Sequence, residues 1–128
     1  TPIIAHPERY RFVQNDIKIL QMWLDRGFVV QVDAGSLIGH FGKNTKKIAI
    51  QMLNSGLFHI IGSDAHNNRA RNFCIKEAYR VIKKINSNKN IKILKQNTES
   101  LLLGKKVERL NKSNKKNISY LVSRMFKL

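Results

Sequence analysis

Two short stretches of this chain carry residue types that hold metals and phosphates. The first is Ile60-Ile61-Gly62-Ser63-Asp64-Ala65-His66-Asn67. The run Leu57 to Ile61, between Gly56 and Gly62, reads as a strand buried on both faces. Asp64 and His66 follow at its C-terminal end and point the same way if the backbone stays extended. Ligands and metals gather at that end of strands in α/β proteins. A carboxylate oxygen and an imidazole nitrogen suit a divalent metal. The competing reading makes Asp64 a helix cap and His66 an ordinary loop histidine. The second stretch, Thr1-Pro2-Ile3-Ile4-Ala5-His6-Pro7-Glu8-Arg9-Tyr10, has the same form. Pro7 stops the strand just past His6, a further candidate ligand. Arg9 follows within one short turn, and its planar fork binds phosphate oxygens in pairs.

Those residues need a scaffold, and 128 residues with 42% hydrophobic content allow one domain with one modest core. Cys74 is the single cysteine, which excludes an internal disulfide and fits a reducing cytosol. No apolar run approaches the roughly 20 residues of a membrane span. The chain opens directly on a strand without an initiator methionine, so we expect the C-terminal part of a longer protein or a truncated copy of one.

The formal net charge of +16 is unevenly spread, with +4 in residues 1–75 and +12 in residues 76–128. The basic half is rich in lysine, asparagine and isoleucine, the pattern that base-composition bias in a gene produces, with the lysines solvating helix faces; a basic excess still attracts polyanions or an anionic membrane. Aromatic stacking platforms and glycine-arginine segments are missing, which argues against specific nucleic-acid binding.

Apolar spacing predicts a strand at 2–6, a helix at 16–26 closed by Gly27, and a strand at 28–32. A glycine-rich loop is expected over 33–42, then a helix with Ile48, Ala49, Met52 and Leu53 on one face. A strand at 57–62 and a helix at 73–86 follow. Residues 87–90 read as a turn, 91–94 as a short segment, and Asn97-Thr98-Glu99 as a cap before Ser100-Leu101-Leu102-Leu103. Repeated strand–helix units predict parallel crossovers, with all candidate residues on one C-terminal rim. From 105 to 128 the sequence predicts a basic tail outside the domain formed by 1–104. That tail reads either as disordered or, through Ile118, Leu121, Val122 and Met125, as a short amphipathic helix able to touch an anionic membrane.

Three motifs carry a resemblance: Ile3-Ile4-Ala5-His6-Pro7-Glu8-Arg9; Gln31-Val32-Asp33-Ala34-Gly35-Ser36-Leu37 with Gly39 and Phe41-Gly42; and Gly62-Ser63-Asp64-Ala65-His66-Asn67 with Arg71. In this order they resemble the C-terminal half of the bacterial PHP-domain tyrosine phosphatases of the CpsB/CapC family, from residue 1 to about 104. The resemblance implies an α/β fold, part of a distorted (β/α)7 PHP barrel with parallel strands and flanking helices. It implies a manganese cluster with His6, Asp64 and His66 as ligands, and Arg9 and Arg71 holding the phosphate. Arg69 competes with Arg71 for that role. The implied substrate is phosphotyrosine on a bacterial tyrosine kinase that controls capsule or exopolysaccharide synthesis, in the cytoplasm.

The family's His-x-His pair and further glutamate and histidine ligands belong to its N-terminal half and have no counterpart here. We therefore expect this chain alone to turn over phosphotyrosine poorly. Two other readings remain: a non-catalytic remnant or binding module of that fold, and a phosphoesterase acting on small molecules. His40, His59 and Cys74 are expected to be structural.

Overall fold

The computed structural model describes residues 1–66, 74–85 and 88–113. Its centre is a three-stranded parallel sheet in the order β1-β2-β3, formed by Ile3–Ala5, Val29–Asp33 and Ile60–Gly62. Ile3 pairs with Val29 on one side of the sheet, and Gln31 with Ile60 on the other. β2 is central, and Val29, Val30, Val32 and Asp33 are all buried. This explains its β-branched sequence, because a strand covered on both faces needs no polar alternation. β1 stands at an edge of the sheet, and Ile3 remains 47% exposed.

Six helices are described: α1 Arg11–Asn15, α2 Lys18–Asp25, α3 Ala34–Ile38, α4 Lys43–Asn54, α5 Ile75–Ile85 and α6 Asn88–Leu102. α2 buries Leu20 and Leu24, four residues apart on one face. α4 buries Ile48, Ala49, Met52 and Leu53, the face expected from the sequence. α5 buries Ala78, Ile82 and Ile85. Each such large aliphatic side chain contributes about 1.5–3 kcal/mol when fully buried.

Several local expectations are corrected. The short turn expected between His6 and Arg9 is a 3-10 turn, Pro7–Arg9, and it runs into a helix, α1, that the sequence did not predict. The expected helix at 16–26 begins at Lys18, where Asp16 Oδ1 accepts the Lys18 N–H at 3.0 Å. The expected loop over 33–42 contains α3, because Asp33 caps it through Gly35 N–H and Leu37 anchors it in the core. The strand expected at 57–62 shortens to Ile60–Gly62. Ahead of it, His59 Nδ1 accepts the Val30 N–H at 3.1 Å, taking the place of a backbone acceptor.

The expected turn, short segment and cap over 87–99 are one continuous helix, α6, from residue 88 on. Asn97 does not cap it. The Asn97 amide instead bonds outward to His59 O and to both backbone groups of Glu108, and these tertiary bonds occupy the side chain.

Those bonds belong to a strap. Residues 107–113, placed in the tail by the sequence, run back across the domain. Leu110 is 5% exposed, Asn90 bonds the backbone of Asn111 in both directions, and Ser113 N donates to Asn54 O at 2.9 Å. The group Ile118, Leu121, Val122 and Met125 lies outside the described residues. No helix among the described residues is long and apolar enough to cross a membrane.

Candidate functional site

Each strand of the sheet ends in a residue that can bind a cation: His6 after β1, Asp33 at the end of β2, and Asp64 after β3. Parallel pairing puts these three ends on one rim. Among the described residues, His6 at φ 41° and Asp64 at φ 44° are the two non-glycine residues with positive φ. Left-handed backbone is costly for residues with a Cβ, and it concentrates at functional sites. The extended course assumed for Ser63 to His66 therefore breaks at Asp64. The two side chains still meet through a turn: His66 Nδ1 lies 2.7 Å from the Asp64 carbonyl oxygen and 4.0 Å from its Oδ1. A 2.7 Å contact to a carbonyl requires the proton on Nδ1. That tautomer leaves the lone pair on Nε2 of an exposed ring, as a metal ligand requires.

His6 donates its backbone N–H to Gln31 O at 2.8 Å, and its ring stands edge-on to Tyr10. His6 Nδ1 is buried and has no hydrogen-bond partner. Arg9 joins the rim from the 3-10 turn. Its Nη1 donates to Asp64 Oδ2 at 3.2 Å and lies 3.6 Å from Asp33 Oδ2. Its guanidinium carbon sits 4.3 Å from the Phe41 ring centroid, a cation–π arrangement. Arg71 and Arg69 lie outside the described residues.

Two residues missed by the sequence reading organise this rim. Glu8 is fully buried, and its Oε1 accepts the Asp33 N–H at 2.9 Å and the Ser36 hydroxyl at 2.7 Å. It thereby docks the turn carrying Arg9 onto the β2–α3 junction. Burial pushes its pKa up to about 7, against the lowering effect of the Ser36 and Asp33 hydrogen bonds. Asp33 is also buried; burial raises its pKa, with Asp64 adding to the rise while Gly35 N–H, Arg9 and His6 oppose it. Asp33 was legible in principle, since it stands at a strand end as Asp64 does. Glu8 gave no such signal, because its partners come from β2 and α3.

The donor types fit a divalent metal: imidazole nitrogens and carboxylate oxygens, with His6 Nδ1 and Asp33 Oδ2 buried and without hydrogen bonds. With Arg9 between the carboxylates, no three His, Cys, Asp or Glu groups among the described residues gather tightly enough to hold an ion. Cys74 is buried and its thiol pKa is raised by burial, which disfavours the nucleophilic thiolate. His59 is held between Val30 N–H and Asn97, and His40 is exposed. A cavity of about 600 Å³, lined by Phe28, His59, Leu101 and Arg109 among others, lies at the opposite end of the strands.

Comparison with known proteins identifies relatives of this chain. Residues 1–103 match the family model described as capsular polysaccharide synthesis, CpsB/CapC. The tyrosine-protein phosphatase YwqE of Bacillus subtilis (strain 168) is 38% identical over 101 residues, covering 79% of this chain and 40% of YwqE. The putative tyrosine-protein phosphatase CapC of Staphylococcus aureus is 40% identical over 78 residues, covering 61% of this chain and 31% of CapC. Among solved structures, work on YwqE from Bacillus subtilis and CpsB from Streptococcus pneumoniae, described as unique metal-dependent tyrosine phosphatases, contains a chain that matches with a TM-score of 0.81. That match has 34% identity and covers 89% of this chain and 47% of the solved one. This chain thus spans less than half the length of these relatives. With the family model covering most of its length, the chain belongs to the CpsB/CapC family of capsular polysaccharide synthesis proteins.

Proposed function

We propose that this chain supplies the phosphate-holding part, and some of the metal-holding part, of a metal-dependent protein-tyrosine phosphatase. The observation that carries this reading is Arg9 meeting Asp64 across 55 residues of sequence, on a rim shared with His6 and His66. The named activities of YwqE and CpsB support it. In this reading residues 1–104 form C-terminal units of a (β/α)7 PHP barrel in the cytoplasm. The substrate is a phosphotyrosine protein, such as a bacterial tyrosine kinase.

His6, Asp64 and His66 would hold the metal, which we take to be manganese. A bound divalent metal supplies an activated water and neutralises phosphoryl oxygens. Arg9 and Arg71 orient the phosphate by paired N–H contacts, and Phe41 supports the Arg9 guanidinium from below. Pro7 and Glu8 keep the turn that carries Arg9 rigid.

A second reading is a binding module of the same fold without turnover. It is favoured by the Arg9 guanidinium, which lies between the Asp33 and Asp64 carboxylates and pairs with both. The test measures phosphate release from a phosphotyrosine peptide with and without Mn²⁺, native beside Asp64→Ala. Metal-dependent release that vanishes in Asp64→Ala supports the phosphatase. Release indifferent to metal or to Asp64→Ala refutes it. Retained phosphate binding with no release favours the binding module.

A further inference from the structure

The cavity at the N-terminal ends of the strands has no part in the reading above. Its volume of about 600 Å³ falls within the roughly 300–1,000 Å³ of small-molecule pockets. Leu24 of α2, Phe28 ahead of β2, Leu101 of α6 and Val107 of the strap give it an apolar side. Lys105, Lys106 and Arg109 give it a cationic side, and among the described residues no Asp or Glu lines it. Arg109 is held at 2.9 Å by Asp25, which stands outside the lining. That ion pair is exposed at both ends, so an incoming anion displaces it at little cost. His59 lines the cavity as well and is only 5% exposed. Its Nδ1 accepts the Val30 N–H, so the neutral ring carries its proton on Nε2. Among the described residues no hydrogen bond takes up that Nε2–H. The strap fixes the cationic side in place, because Asn97 bonds both backbone groups of Glu108 and Leu110 is buried. Residues 105–109 follow the stretch 1–103 matched by the family model, so the match does not extend to this wall.

We propose that this cavity binds a small organic anion, with an apolar, ring-sized body and a carboxylate or phosphate head. The body lies against Leu24, Phe28, Leu101 and Val107, where it is removed from water. The head meets the cationic side, Lys105, Lys106 and Arg109, and accepts the buried His59 Nε2–H. One buried donor beside three cations, with no lining carboxylate to oppose them, favours an anion over a neutral ligand of the same shape. Such a ligand ties the end of α6 and the strap to the turn between α2 and β2. The site is separate from the rim of Arg9, Asp64 and His66, and it stands or falls independently of the phosphatase reading.

The test is an NMR titration of the full chain with 2-naphthoate, with naphthalene-2-phosphonate and with the neutral 2-naphthalenemethanol. The two anions share one ring system and differ in the head, and neither can be hydrolysed as a phosphate ester. We expect both anions to saturate the protein and to shift the His59 ring and Leu101 methyl signals. The neutral alcohol should bind about ten-fold more weakly or worse. The double variant Lys105→Gln, Lys106→Gln should weaken both anions about ten-fold, and Arg109→Gln should weaken them as a second, separate change. The three substituted side chains are exposed, and thermal melts confirm that each variant folds. Arg9→Ala should leave anion binding at this cavity unchanged. Tighter binding of one anion than the other supports the site and identifies its head group. Absence of saturable binding, or equal binding of the neutral alcohol, overturns the proposal. So do full affinity in both the lysine and the arginine variants, and shifts confined to His6 and His66, which would place the anion on the other rim.

Discussion

Glu8 Oε1 accepts the Ser36 hydroxyl at 2.7 Å across 28 residues, wholly inside the protein. The same oxygen takes the Asp33 N–H, so one carboxylate joins the turn after β1 to the start of α3. Glu8→Ala strands both donors and opens a cavity, and should cost about 3–5 kcal/mol in urea unfolding. Glu8→Gln keeps the accepting oxygen and should cost only about 1 kcal/mol. Equal losses in the two variants would mean that the hydrogen bonds contribute little.

His59 gives stability a pH dependence with a definite sign. Burial, and secondarily the Arg109 charge, push its pKa from 6.5 down to about 4. The unfolded chain takes up the proton near pH 6.5, whereas the folded protein resists it until about pH 4. The contribution is therefore fully present above pH 6.5 and is lost as pH falls through that window. The loss should approach about 3 kcal/mol. His59→Asn retains an acceptor for Val30 N–H and should flatten the stability profile between pH 7.5 and 4.5. A variant as acid-sensitive as the native chain would assign the effect to other groups.

The strap makes Gly56 irreplaceable by a residue with a side chain. Its φ is +65°, and a Cβ there would lie 2.5 Å from the Leu110 carbonyl oxygen. Gly56→Ala should lower stability by about 2–4 kcal/mol, combining backbone strain with loss of strap contacts. Truncation after residue 104 removes the buried Leu110 and the Asn97–Glu108 and Asn90–Asn111 bonds. It should lower the melting temperature by several degrees. An unchanged melting temperature would show that the strap is dispensable.

Arg9→Lys tests phosphate recognition apart from turnover. Lysine keeps the charge but loses the planar fork and the stacking on Phe41. Affinity for inorganic phosphate, measured with Mn²⁺ present, should fall about ten-fold, close to the effect of Arg9→Ala. Native affinity in Arg9→Lys would reduce the role of Arg9 to charge alone.

The sequence by itself determined the parallel α/β character, because strands buried on both faces and helices with apolar stripes are local patterns. β2 from Val29 and α4 around Ile48 and Met52 were read from those patterns. It also marked His6, Asp64, His66 and Arg9, since chemistry-bearing residues just past a buried strand are visible in one dimension. Only the tertiary structure decided what those residues touch. Asp64 and Arg9 meet because parallel pairing aligns the ends of β1, β2 and β3, although 55 residues separate them. Asn97 looked like a helix cap because its preferred partners are local, yet its amide is used by Glu108 and His59. Glu8 looked like a loop charge because burial is not a property of a residue type. Its partners come from other elements, and only folding brings Ser36 and the Asp33 N–H around it.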